Sequence, residues 1–368
     1  MPRSGQLARV LKTHSRLTRQ PVIKAFHVTE TLLYSIDAYV AGMYDQGHWA
    51  PMSDRSLQPA SSDTQDSEDD AYTVLDRFYS GCVTACELME EKKFVEARKI
   101  LSAACALLRS IIASGHRETL NYFVSIFFEL TQGRFASLVG VLDLLRNFLG
   151  NMAMLVLPER HPFRAICCAV GRMDVSELNK AIILSLKTLI DVSEKKEGRY
   201  SPSAFRSQLS YVSLLHANRP VEEEIALRQL LSEVRGRSLD GTFNALKFLL
   251  INLQGQNRIE ECEALGVEYL ALAQTHAGDG ATDVDIALGL QMQAKSQYRL
   301  GKAALAEANQ RKQVGIMIAT NNLNWAIRGL GILEGWLRDW GRANEADELV
   351  EEIERLIEQD TAGKENIY

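Results

Sequence analysis

Apolar side chains recur along this chain at the spacing of one helical face. From Val175 to Glu197 they fall at Val175, Leu178, Ile182, Leu186 and Leu189. A second stripe runs through Ile259, Cys262, Gly266, Tyr269 and Ala273, and a third through Ala343, Ala346, Leu349, Val350, Ile353, Leu356 and Ile357. Residues three and four apart share a side of an α-helix, so each segment is predicted to be a helix with one face buried. Boundary chemistry agrees. Asp174 followed by Glu177 spells a capping box, and Gly198 stands where that helix must stop. Ser201 before Pro202 is a start signal, because proline at the first helical position gives up an amide that would lack a partner anyway. Thr282 with Asp285 repeats the capping logic.

The breaks between helices are themselves periodic. Seven times between Ala71 and Asp360 a helix, a short break and a second helix follow one another. The second helices open at Phe94, Phe135, Asp174, Pro220, Ile259, Ala303 and Ala343, spaced by 41, 39, 46, 39, 44 and 40 residues. A period near 40 built of paired helices predicts an all-α solenoid, in which each hairpin buries its apolar stripe against its neighbours. Three residues into four of the second helices sits a small side chain, Ala97, Cys262, Ala306 or Ala346, where paired helices must approach closely. This resembles tetratricopeptide repeats, most clearly at Lys92–Ala97 and Gly341–Ala346. Units three and four depart from it with Glu177 and Glu223, and the period exceeds the usual 34. The expectation is a tetratricopeptide-like α-solenoid of about seven hairpins whose acidic last helix (Glu345, Asp347, Glu348, Glu351, Glu352, Glu354, Glu358) caps the end, leaving an elongated trough.

Four segments follow: residues 1–50, a basic N-terminal arm with one helix running through Leu32, Leu33, Ile36, Tyr39, Val40 and Met43; residues 51–70, an acidic linker rich in Ser, Asp and Gln; residues 71–360, the repeats; and residues 361–368, a tail. The linker is too poor in apolar residues to offset the entropy of ordering.

Composition narrows the function classes. With 46% hydrophobic and 24% charged residues the proportions are globular, and 368 residues exceed what one core usually supports, which favours a one-dimensional array. A formal charge of -6 argues against nonspecific nucleic-acid binding by the body as a whole. The six cysteines, Cys82, Cys86, Cys105, Cys167, Cys168 and Cys262, show neither a C-x-x-C pair nor regular spacing, so no disulfide framework, zinc module or other cofactor is expected. The most apolar stretch, Phe135–Leu157, carries Asp143 and Arg146 and reads as a buried helix rather than a membrane span. No secretory leader is expected either.

No catalytic constellation emerges: there is no G-x-S-x-G elbow, no P-loop, no G-x-G-x-x-G after a strand and no H-E-x-x-H. Cys82 and Cys86 stand one turn apart without partners to complete a metal site, so packing is the better reading, as it is for Cys167 and Cys168. His161 before Pro162 reads as a cap rather than a base, and Asp283 and Asp285 as first-turn acids stabilised by the helix dipole. Trp325, Trp336 and Trp340 read as packing between the last hairpins. Against these, Asn121, Asn244, Lys247, Asn324 and Arg328 are polar residues on first helices, which line the concave side of such arrays. Spaced amides and cations there would hold an extended peptide by its backbone and carboxylates.

The order of features also resembles a family. Thr31–Val40 with Gly47-His48-Trp49, the acidic gap, Phe78 to Glu87, Lys93–Leu101, and His161–Ile166 with Gly171–Asp174 are similar to the region that follows the DNA-binding-like domain in fungal cryptic-loci-regulator proteins. The resemblance runs from about Arg16 to about Leu231. It implies a nuclear protein of filamentous fungi acting in gene silencing or transcriptional control. The tryptophan-bearing N-terminal module that names the family is missing, since the first tryptophan is Trp49, so neither DNA recognition nor any functional residue is carried over.

The expected function is a non-enzymatic, nuclear or cytoplasmic scaffold with a protein or peptide partner on its concave face and no membrane contact. The alternative is a DNA-associated regulator using Arg3, Arg9, Lys12, Arg16, Arg19 and Lys24, a run of cations without an acid. The same arginine-rich start also suits a mitochondrial presequence or a remnant of a longer connecting segment. An enzyme with a site hidden between helices stands third.

Overall fold

A computed structural model describes residues 27–48, 65–131, 135–278 and 281–365. Helix α1 spans 27–45. The others follow in order: α2 Gln65–Glu90, α3 Phe94–Ala106, α4 Leu108–Ser114, α5 Thr119–Thr131, α6 Val139–Val156, α7 Pro162–Arg172, α8 Val175–Glu197, α9 Pro202–Leu215, α10 Pro220–Val234, α11 Leu239–Gly255, α12 Ile259–Thr275, α13 Asp283–Arg299, α14 Ala303–Ala319, α15 Leu323–Asp339 and α16 Ala343–Glu365. Among the described residues there is no strand, only an isolated bridge between Ala277 and Ala281. The fold is all-α, with helices packed in neighbouring pairs as in an α-solenoid.

The C-terminal half shows why the period is near 40. Helices α11 to α15 are each 17 residues long. Most are joined by one three-residue turn whose central residue is left-handed: Asn257, Gly301, Asn321 and Gly341. In each, the amide after that residue donates back five positions, as from Arg258 to Leu253, Lys302 to Gln297, Asn322 to Met317 and Arg342 to Leu337, closing the last helical turn. Seventeen helical residues and three of turn make a unit of 20, and two units make the repeat. Lys92 adopts the same conformation between α2 and α3. The small residues Ala97, Cys262, Ala306 and Ala346 are all fully buried at the pairings they were expected to permit. Gly266 and Gly289 let α12 and α13 cross closely: a Cβ on Gly289 would lie 3.1 Å from Leu270 Cα.

The N-terminal half departs from this regularity. Leu107 interrupts the second helix of the first hairpin, producing α3 and α4. Phe135 lies in the turn before α6, and Asp174 is the cap of α8 rather than its first residue. The closest pairings there are α2 with α3, α8 with α9 and α6 with α7, while α5 and α6 are splayed. The reason is α1. Expected as an arm, it is docked among α5, α6, α7 and α8, with Leu32 and Ile36 facing Leu120, Phe123, Leu149, Ile166, Leu178 and Ile182. Tyr39 stacks on Phe163 with ring centres 5.0 Å apart. A hairpin that closed tightly would have no room for this extra helix.

Other boundaries also differ from expectation. Helix α2 begins at Gln65, so the end of the acidic 51–70 stretch is helical, and residues 51–64 lie outside the described residues. Helix α16 runs to Glu365, into the expected tail. The third difference is architectural. The last hairpin packs on the first, α15 against α2 and α16 against α3, so the array closes on itself and the expected open trough becomes the inner face of a ring. The closure is both apolar and polar: one core joins Leu75 and Phe78 to Trp325, Ile327 and Leu330. Thr84 Oγ1 donates to the Asn324 carbonyl at 3.5 Å, and Trp325 Nε1 donates to Asp76 at 3.1 Å. The acidic α16 still buries Ala346, Leu349, Ile353, Leu356 and Ile357, but against a neighbour at each side rather than as a free end.

Candidate functional site

The inner face of the ring is built from the first helices of the hairpins, and the candidates Asn121, Asn244, Lys247, Asn324 and Arg328 lie on three of these, α5, α11 and α15. The structure divides them. Asn121 is buried at the seam between α5 and α9, where it donates to Glu118 at 3.1 Å and accepts from Ser207 at 2.8 Å. Asn324 is buried in the closure and donates to the Arg77 carbonyl at 3.4 Å. Arg328 lies over the Trp325 ring at 5.1 Å, and its Nε is 2.9 Å from Glu87 Oε1, an ion pair whose N–H is poorly aligned for a hydrogen bond. Asn244 donates to the Asp240 carbonyl of its own helix at 2.9 Å. Three of the five thus hold helices together, and one braces its own helix.

Lys247 is different. It is half-buried, and among the described residues Nζ makes neither a hydrogen bond nor an ion pair. Charges from four other first helices reach it: Asp76 of α2, Arg206 of α9, Asp285 of α13 and Arg328 of α15. Burial and Arg206 push the ammonium below its ordinary range, and Asp76 opposes them. These carboxylates are committed elsewhere. Asp285 accepts from the Thr282 amide and hydroxyl, both at 2.8 Å, in the capping box of α13, and Tyr269 lies at 3.4 Å from its other oxygen. Asp76 holds Trp325, and burial raises its carboxyl above the usual range despite that bond and the nearby Lys247 and Arg206.

Sequence reasoning missed the residues that organise this region. Glu118 lies just before α5 and accepts from Ser203 at 2.7 Å, Arg206 at 3.0 Å and Asn121 at 3.1 Å. Burial alone would raise its carboxyl, but Arg206, Ser203 and Asn121 hold it below the usual range. Arg206 stood in the sequence as a lone cation in the apolar run of α9, the same signal that picked out Lys247. Glu118 carried no such mark, because acids at helix starts are common, and Asp76 follows closely on the acidic stretch that ends at Asp70.

Several other residues take structural places. His161 caps α7 by accepting from the Phe163 amide at 3.2 Å, and burial lowers its pKa. Cys82, Cys86, Cys105, Cys167 and Cys262 are buried and all six cysteines are free. Among the described residues no group of three or more His, Cys, Asp or Glu is arranged to hold a metal ion. Asp283 lies in the first turn of α13. Trp336 stacks on Tyr298 at 4.7 Å and Trp340 lies beside them, as expected of packing, while Trp325 belongs instead to the ring closure. Among the described residues one helix, α6, is long and apolar enough by composition to cross a membrane, and it buries Leu142, Leu145, Leu149 and Ala153 in the core. The basic residues Arg3, Arg9, Lys12, Arg16, Arg19 and Lys24 lie outside the described residues.

No family model matches the chain, and no curated protein matches it in sequence.

Proposed function

We propose that this protein is a non-enzymatic interaction scaffold that holds an extended segment of a partner protein at the inner face of its closed, tetratricopeptide-like array, with Lys247 as the anchor. The observation that carries this reading is an ammonium left without a carboxylate while every acid near it is engaged elsewhere. An unpaired, half-buried cation is costly, and a carboxylate side chain of the partner would relieve that cost. Asn244, one turn away on α11, would add an amide for the partner's backbone. The cluster favours a single carboxylate over a more highly charged group, because Arg206 and Arg328 are already paired with Glu118 and Glu87. The resemblance to fungal cryptic-loci-regulator proteins makes the nucleus the compartment and transcriptional control the process in which to seek the partner.

The test is an array of immobilised peptides in which glutamate-bearing segments are matched with their glutamine counterparts, probed with the full chain. Glutamate peptides should be retained over their counterparts. Lys247→Met should weaken that retention about 30-fold or more, corresponding to roughly 2 kcal/mol or more for a desolvated charge pair. Equal retention of both peptide sets, or by both proteins, refutes the anchor.

A second reading rests on the acid-free run of cations in residues 1–24. If those residues neutralise DNA phosphates, log affinity falls against log salt with a slope of about -5, and deleting the arm abolishes it.

A further inference from the structure

We propose that the groove occupied by α1 exchanges its occupant between copies of this chain, so that the α1 of one molecule seats in the groove of a second and yields a swapped dimer. This rests on the architecture alone and is independent of the scaffold reading.

Helix α1 is bound in the manner of a ligand. Its buried anchors, Leu32, Ile36, Tyr39 and Val40, fall at i, i+4, i+7 and i+8, the pattern by which an amphipathic helix fills an apolar groove. The walls come from α5, α6, α7 and α8, none of them adjacent to α1 in sequence. A small apolar cavity of about 30 Å³ remains beneath it, bounded by Leu32 and Ile36 on one side and by Phe123, Cys167 and Ile182 on the other. The four anchors belong to the same apolar core as these walls, so a groove that loses its own α1 must take up an equivalent helix to stay covered.

The chemistry at the end of the groove selects the occupant. Lys196 pairs with Asp45 of α1, and Tyr44 of α1 donates to Glu197, which is itself paired with Arg117 at 3.1 Å in a buried bridge. A helix suited to this groove must carry four apolar anchors followed by a hydroxyl and a carboxylate in that order, and α1 of an identical chain supplies all of them. In trans these contacts are the same as in cis, so exchange forfeits none of them. The connection permits it as well. Residues 46–64 separate α1 from α2, and a span of that length reaches at most roughly 60 Å when extended.

Two full-length variants test the exchange by complementation. Leu32→Asp with Ile36→Asp spoils α1 but leaves the groove intact, and Ile182→Asp with Leu189→Asp blocks the groove but leaves α1 intact. Each alone should be monomeric by light scattering, and their mixture should give a one-to-one dimer by native mass spectrometry. The wild-type chain should dimerise with rising concentration, and the first variant should not. A mixture that stays monomeric while both variants keep their helical circular dichroism overturns the proposal. Should the first variant fail to fold, a labelled peptide of residues 27–46 added to the wild-type chain decides the matter. Saturable uptake, lost with a scrambled sequence, supports exchange, and no uptake, or equal uptake of the scrambled peptide, refutes it.

Discussion

The two halves of the array solve the same packing problem differently. From α11 to α15, helices of equal length, most of them joined by near-identical turns, bury their stripes pairwise, with close crossings at Gly266 and Gly289. From α1 to α9, hairpins are splayed around an additional helix and tied by buried charged groups, the Glu118 cluster at one seam and the Arg117–Glu197 bridge at another. In the regular half, ion pairs such as Arg342 with Glu307 lie nearer solvent. Repetition supplies stability through many similar small contacts, whereas accommodating an odd helix concentrates it in a few specific groups. Point substitutions should therefore act unequally on the two halves.

The largest contrast is electrostatic. Glu118→Ala takes the acceptor from half-buried Arg206 and from the buried Ser203 and Asn121, and should cost about 3–5 kcal/mol in urea unfolding, whereas Glu307→Ala in the regular half should cost about 1 kcal/mol or less. The pH dependence follows in sign. Because the folded state holds the Glu118 carboxyl below its ordinary range, its contribution is present above that range and lost as pH falls through the folded value. Glu118→Gln should flatten the acid limb of the stability profile. Next, Ile36→Ala enlarges an existing void under α1 and should cost about 2–4 kcal/mol. A loss well below 1 kcal/mol would mean that α1 contributes little to holding the splayed hairpins. Third, Gly289→Ala forces α12 and α13 apart and should cost about 1–3 kcal/mol, read as a lowered melting temperature. The smallest effect has the opposite sign. Lys92→Gly relieves a left-handed lysine and should stabilise the chain by roughly 0.5–1 kcal/mol, while Asn257→Gly, starting from a residue that tolerates that conformation, should gain less.

How much of this was legible in the sequence follows the same division. Helix starts were written locally: the capping boxes at Asp174 and Thr282 and the Ser201-Pro202 start all lie where their residues placed them, because a cap involves side chains and amides within four positions. The period was legible for a related reason, since each repeat carries its own turn and its own small residue. The docking of α1 and the closure of α15 on α2 were not. Both depend on contacts between residues far apart in the chain, and a buried Leu32 looks the same in sequence whatever covers it. The candidate site was legible as a face but not as a set of roles. Polar residues on first helices do point inward, yet only coordinates distinguish Asn121 and Asn324, which tie seams, from Lys247, which is tied to nothing.

Closure has a consequence for how the protein is made. Asp76 and Trp325, which meet in the seam, are 249 residues apart. At a synthesis rate of about 5–20 residues per second, α2 waits on the order of 12–50 seconds for the helix that covers it. Throughout that interval the nascent chain leaves the face of α2 that carries Asp76, Gly81 and Thr84 without its covering helix, and a ribosome that stalls before Leu323 releases a product with that face uncovered. Such a chain would depend on chaperones less for any difficulty in forming its hairpins than for the delay before its beginning meets its end.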